Sequence, residues 1–338
     1  MGLLDSSYWD NYKNIIEALS GGKNTVVFDD LNLPSVMVRF PRINFADVGL
    51  SKPAGAPAGE YGEALPAFRC DGAFGESGLV PAIYIGKYIS YVYGTRAYSL
   101  PYKDPANTID FDGSKAACTA KGTGWHLMTN AEWAAITQWS RENGAMPRGN
   151  NNYLEDITEP HESAVPTQTG IVKGTSGTAR SYTGSGPDAW NHDHGPFGIS
   201  DMNGNVWEWV DGLKITTGVA AVMPDKDGSD PGNDFGTAEA SWIDTATNIT
   251  SGMTSGNKIL TLRTGDNWTG LNIPATSDAS GSATYGNDGY WFATTDERLP
   301  CRGGYWSRGA DAGVFALDLY YLRSTANANI GFRPAYVV

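Results

Sequence analysis

The chain has 338 residues, room for one large domain or two modest ones, and its 41% hydrophobic and 12% aromatic content is ample for a packed core. Only 18% of residues are charged, and 24 basic against 37 acidic side chains give a net charge of -13, which repels a phosphate backbone and argues against nucleic acid as a partner. No apolar run is long enough to cross a bilayer, so membrane insertion is not expected.

The opening stretch, MGLLDSSYWDNYKNIIEALSGG, has neither a basic n-region nor an apolar h-region, so export by the general secretory route is not indicated. Within it, Tyr8, Tyr12, Ile15, Ile16 and Leu19 recur at helical spacing, with Ser6 or Ser7 as N-cap and Gly21-Gly22 as the stop. This predicts a short amphipathic helix whose stripe docks on its own domain or on a symmetry mate. TVVFDDLNLPSVMVRFPRINFADVGL then reads as two short strands parted by Pro34, and SKPAGAPAGEYGEALPAF as a Pro/Gly/Ala-rich link. A domain boundary near 51–75 follows, with 1–75 as a small attachment or oligomerisation module and 76–338 as the main domain.

From Ile83, IYIGKYISYVYGTRAYSLPY alternates aromatic and aliphatic residues around Gly94, as in a hairpin. SKAACTAKG reads as a small-residue helix ending at Gly122. Thr129-Asn-Ala-Glu132 fits a capping box that starts a second helix, with Trp133, Ile136 and Trp139 on its core face and Gly144 as its stop. Residues 145–196 and an insertion at about 214–297 are rich in Gly, Asn, Ser and Thr and read as long loops carrying a few short strands.

Motifs for catalysis are missing: there is no G-x-S-x-G elbow, H-E-x-x-H helix, P-loop or dinucleotide glycine fingerprint. Cys70, Cys118 and Cys301 are far apart and lack metal or redox spacing, so they read as buried thiols. His192 and His194 could form a metal pair in WNHDHGPFG, but no third ligand is close, and ordinary loop histidines are the better reading. In ISDMNGNVWEWVDG, Asn203-Gly204 favours a tight turn, and Val206 to Val210 alternates like a strand with Trp207 and Trp209 on one face. Glu208 is there either a hydrogen-bonded core residue or, with Asp201 and backbone carbonyls, part of a hard-cation site.

Near the C-terminus, RGGYWSRGADAGVFALDLYYLRS has Phe315, Leu317 and Leu319 on one face of a strand and Ala316, Asp318 and Tyr320 on the other. The second face, with Tyr305, Ser307, Arg308 and Asp311 before it, is expected to reach solvent with the Tyr-rich, mixed-polarity character of a binding surface.

GWHLMTNAEWAAI, GISDMNGNVWEWVDG and the closing CRGGYW…GFRPA together resemble the C-type lectin-like fold shared by formylglycine-generating enzymes and the variable proteins of diversity-generating retroelements. The resemblance spans roughly 83–338 and implies an α+β fold of the formylglycine-generating-enzyme type with long loop insertions. The enzymes work through cysteines in this C-terminal segment, where this chain has only Cys301, so the variable-protein branch is the closer fit. That branch implies a non-enzymatic ligand-binding protein whose hypervariable region, about 302–335, is rewritten by adenine-directed mutagenesis. The implied variable positions are Tyr305, Ser307, Arg308, Asp311, Asp318, Tyr320, Tyr321, Thr325, Asn327 and Asn329, set among fixed Gly303, Gly304, Trp306, Phe315, Leu317, Leu319, Gly331 and Phe332.

The expected partner is a protein or cell-surface receptor of a host, recognised from a phage tail tip or by a cell-associated protein, with a homo-oligomer a further expectation. An oxidase on the same scaffold, or a structural virion component, is the alternative. No cofactor is required; calcium is the one candidate, since Asp201, Glu208 and the carbonyls of Gly204 and Val206 match a calcium site of the formylglycine generators, with Asp201 in place of an amide ligand.

Overall fold

The computed structural model describes residues 6–70 and 78–338. The chain is α+β, with 30% strand against 18% helix. It begins with the helix Ser6–Ser20. Gly21 and Gly22, both at positive φ, end it, and Gly22 N–H donates to Glu17 O across 2.8 Å, the closure of a left-handed C-terminal cap. The apolar stripe of this helix is not fully covered: Ile15 is 57% and Leu19 71% exposed.

The two expected strands are Asn24–Phe28 and Pro34–Pro41, with Pro34 opening the second and not parting the two; they pair antiparallel and do not belong to a separate module. The second pairs antiparallel with Ala82–Gly86, Val38 facing Ile85, in a five-stranded sheet completed by Pro334–Tyr336 and Trp125–Leu127. Val38, Phe40, Phe45 and Phe68 join Trp133, Ile136 and Phe315 in one core, so the boundary expected at 51–75 is not a break in the packing. The apolar residues on either side of the Pro/Gly-rich link supply that continuity. Residues 71–77 of the link lie outside the described residues.

The hairpin Ser90–Tyr93 and Arg96–Ser99 turns at Gly94, which takes φ of 62°. The helix Phe111–Thr119 is capped by Asp110, which accepts from Gly113 N. In the helix Asn130–Glu142 the capping box is complete, with Thr129 accepting from Glu132 N and Glu132 accepting from Thr129 N. This start aims Trp133 into the core, where its indole Nε1 donates to Val314 O at 2.7 Å and ties helix to sheet.

The central sheet has seven strands in the order Pro274–Asp278, Asn257–Leu262, Gly289–Phe292, Gly313–Leu319, Cys301–Gly303, Trp207–Trp209, Ile330–Phe332. Three of these come from 214–297, so the expected insertion is in part a structural wing of the sheet, while 145–196 carries almost no regular structure. A four-stranded sheet, Ile243–Asn248, Val219–Val222, Leu213–Thr216 and Glu297–Arg298, flanks it.

The strand Gly313–Leu319 is buried at all seven positions. Phe315, Leu317 and Leu319 face the main core, as the period of two predicted, but Ala316 on the opposite face packs into a second core with Trp207, Trp209, Leu299 and Cys301. Asp318 is therefore only 2% exposed, contrary to the expected solvent-facing position. Alternation tells which residues share a face; a central strand of a sheet covered on both sides leaves neither face to water. Cys70, Cys118 and Cys301 are buried thiols. Among the described residues no helix is long and apolar enough to cross a membrane.

Candidate ligand-binding surface

Two loops leave opposite ends of the buried strand Gly313–Leu319, 304–312 before it and 320–329 after it, and the first folds back so that Arg308 reaches Trp291, the neighbour of Asp318 across the sheet. The first is launched by Gly303 and Gly304, at φ of 90° and 85°. A Cβ on Gly304 would lie 2.5 Å from the Ala312 Cβ, and one on Gly303 would lie 2.8 Å from Met202 O, so the pair is required by both backbone angle and space. Trp306 pins the loop: it is 7% exposed, packs with Ile89, Leu154, Ala179 and Val206, and its backbone bonds to Asn205 O and Tyr153 N. Gly309 N donates to Asn151 O at 2.8 Å, so the unstructured 145–196 region serves as a shelf under this loop.

Between these anchors Tyr305, Ser307, Arg308 and Asp311 are half-buried. Asp311 pairs with Lys258 at 3.5 Å. The Arg308 guanidinium lies over three rings, 4.5 Å from the Trp291 centroid, 5.2 Å from Tyr305 and 5.8 Å from Trp207. Trp207 and Trp291 meet edge to face, centroids 5.6 Å apart.

In the second loop Tyr320 is 57% exposed, its ring beside the Arg298 guanidinium, which also donates to Tyr320 O at 2.8 Å. Tyr321 is half-buried and packs edge-on to Trp209 and to Tyr320, at 6.1 and 6.2 Å. Burial is the main reason its phenol is pushed well above the ordinary value, with Asp318 adding to the shift and Arg308 opposing it. Tyr305, Arg308, Asp318, Tyr320 and Tyr321 thus come together. Thr325, Asn327 and Asn329 lie further along, and the backbone contacts of the last two are to Thr108 and Trp207.

Asp318 lies beneath the cluster. Burial raises its carboxyl from 3.8 to about 6, opposed by the Tyr320 N–H, which donates at 2.8 Å, and by Arg308. With its folded value above the unfolded one, the folded state holds this proton more tightly, so Asp318 favours folding most at low pH and that contribution is lost as pH rises through about 6. A shift of roughly two units corresponds to about 2–3 kcal/mol. Asp318→Asn is accordingly expected to flatten the loss of stability between pH about 4 and 7, read by urea unfolding of both proteins; parallel pH profiles would contradict it.

The two carboxylates considered for calcium are otherwise engaged. Both Glu208 oxygens accept from Arg333, at 2.9 Å from Nε and 2.7 Å from Nη2, so Glu208 is the hydrogen-bonded core residue of the two readings and an arginine supplies the positive charge beside it. Asp201 is buried at positive φ and accepts from Gly184 N at 2.7 Å. Gly204 serves packing, since a Cβ there would meet Asn150 O at 2.1 Å, and its N–H donates to Gly303 O, tying this turn to the base of the first loop. Val206 is fully buried. No cluster of three or more His, Cys, Asp or Glu able to hold a metal occurs among the described residues.

Trp291, Arg298 and Lys258 are part of this surface and the fully buried Trp207 backs it; none of the four is legible in the sequence as a site residue, although Trp207 is legible as a strand aromatic. The run Tyr290-Trp291-Phe292 was the available signal, masked by the Gly/Asn/Ser-rich composition around it.

No protein-family model matches the chain, and no curated protein matches it. Solved structures similar to it include PvdO from Pseudomonas aeruginosa, with 17% identity over 93% of this chain and 98% of that one and a TM-score of 0.40. Treponema denticola variable protein 1 has 12% identity over 93% of this chain and 99% of that one, with a TM-score of 0.38. The Major Tropism Determinant P3c variant has 14% identity over 95% of this chain and 48% of that one, with a TM-score of 0.29. Overlaps this loose transfer no function.

Proposed function

We propose that this chain is a non-enzymatic binding protein, a C-type lectin-like fold of the formylglycine-generating-enzyme type that carries a retroelement-diversified surface for recognition of a host receptor by a phage or virus. One observation carries the reading: within a single C-terminal segment, Trp306, Phe315, Leu317 and Leu319 are buried while Tyr305, Ser307, Arg308, Asp311 and Tyr320 reach solvent between and beyond them. Ser307, Asp311 and Tyr320 can be substituted with little change to the packing of the first set, which is what a diversified surface needs, while Tyr305 also packs edge-on to Trp306. Tyrosine gives large contact area at small entropic cost, and the charged neighbours tune polarity. Asp318, being buried, would act through the field under Arg308 and not by touching ligand.

Placement at a virion tail tip or on a cell, and self-association through the Ile15 and Leu19 face of the first helix, belong to the same reading. Cys301 supports the non-enzymatic side of it. Its thiol is fully buried, and burial, with Asp318 adding to it, pushes it far from the thiolate that redox chemistry needs. Cys301→Ser is therefore expected to leave ligand binding unchanged.

The test is to sequence the 3′ end of the gene across many clones of one population and to look nearby for an adenine-rich near-copy of that end. Changes clustered at Tyr305, Ser307, Arg308, Asp311 and Tyr320, with Trp306, Phe315 and Leu317 constant, are expected. An invariant segment without a near-copy would overturn the proposal.

A further inference from the structure

Among the described residues, every arginine except Arg39 and Arg308 places its guanidinium on a carboxylate, a side-chain amide or a backbone carbonyl. Arg39 is exposed, where water satisfies it; Arg308 is half-buried. It makes no ion pair within 4.0 Å in a chain with 37 acidic residues, and its Nε is buried without an acceptor. The buried Nε1 of Trp207, whose ring lies against the guanidinium, lacks an acceptor as well.

A flexible cation left over by chance would swing to a carboxylate or into water. Arg308 reaches no carboxylate and leaves only part of its guanidinium open to water, because Trp207, Trp291 and Tyr305 lie against it in cation–π contact and the backbone of its own loop is fixed by Trp306 and Gly309. Lys258, a basic side chain beside the loop, is already spent on Asp311. The result is a planar donor fork, oriented in advance and lacking a partner, in the centre of the tyrosine cluster. Planar guanidinium donors match a carboxylate two bonds at a time, and orienting them beforehand removes most of the entropic cost of that match.

We propose that Arg308 is the receptor for a carboxylate group of the ligand, with Trp207 and Trp291 as the fixed walls of its seat and Tyr305 as the wall contributed by its own loop. This rests on the display reading above and adds the ligand's chemistry to it. The net charge of -13 does not forbid an acidic ligand, because charges more than about 8–10 Å away are largely screened at physiological salt while the contact itself is local. It also assigns a division of labour: the two tryptophans lie outside the 302–335 segment, so a change at 308 swaps the group presented without altering most of the seat.

The experiment is a titration of 15N-arginine-labelled protein with sodium acetate at constant ionic strength, following the Arg308 Nε–Hε signal, assigned by its disappearance in Arg308→Lys. The expected result is a saturable shift of that signal with acetate and none with acetamide or chloride. Fluorescein-labelled oligoglutamate and oligogalacturonate then separate a peptide from a sugar source of the carboxylate; binding of either that falls at least tenfold in Arg308→Lys, which keeps the charge but not the planar fork, supports the assignment. An Arg308 signal that responds to acetate no more than to acetamide overturns it. That failure is distinct from failure of the display reading, which the clone sequences and the tyrosine substitutions report independently of acetate.

Discussion

Arg333→Met is expected to cost about 3–5 kcal/mol of folding stability, the largest single-residue effect in the C-terminal segment outside its aromatic anchors. Arg333 and Glu208 are 0% and 1% exposed, and the guanidinium also donates to the carbonyls of Gly86, Lys87 and Ser200. Methionine fills much of the volume but leaves the Glu208 carboxylate buried without its counter-charge and three carbonyls without a donor. Denaturant unfolding of the variant reads the loss. The companion measurement addresses calcium: with both Glu208 oxygens on Arg333, millimolar calcium is expected to leave the melting temperature of the unmodified protein unchanged. A calcium-dependent rise that disappears in Glu208→Ala would reinstate a cation at this turn and overturn the arginine pairing.

What could be read from the sequence was what is decided locally. The capping box at Thr129 and Glu132, the Gly21-Gly22 stop and the turn at Gly94 each depend on a few adjacent residues and appear where their chemistry put them. Local patterning does not reveal what covers a face. The period of two correctly grouped Phe315, Leu317 and Leu319, yet it could not show that Trp207, Trp209 and Leu299 close over the other side and take Asp318 out of water. The same limit explains the missed domain continuity, which depends on Val38 meeting Ile85, and why Glu208 stayed open between a hydrogen-bonded core residue and a cation ligand, since its partner is 125 residues away. Trp291 was hidden for a different reason: its strand is four residues long and set in loop-like composition, so nothing in its neighbourhood marked it as a wall of the Arg308 seat.

Replacing Tyr320 by alanine is expected to weaken attachment of the purified protein to cells of its host by about 30-fold, the effect of losing an interface anchor worth roughly 2 kcal/mol. Its stability should be unchanged, because Tyr320 is 57% exposed and its ring contacts are Arg298 and Tyr321. Tyr305→Ala should weaken attachment as much or more, since it removes one wall around Arg308 as well as its own contact area, but with some loss of stability because its half-buried ring packs edge-on to Trp306. Tyr321→Ala is a poorer probe: the ring is half-buried against Trp209, so lost binding would be mixed with lost packing. The comparison is made by flow cytometry with labelled protein on a panel of candidate host cells, with melting temperatures measured on the same preparations. If the Tyr320 and Tyr305 variants kept full attachment, the surface between the two loops would not be the one that meets the ligand, and the loops would be structural; if attachment fell in the Tyr320 variant with stability intact, the exposed set defined by the buried scaffold would be the binding surface itself.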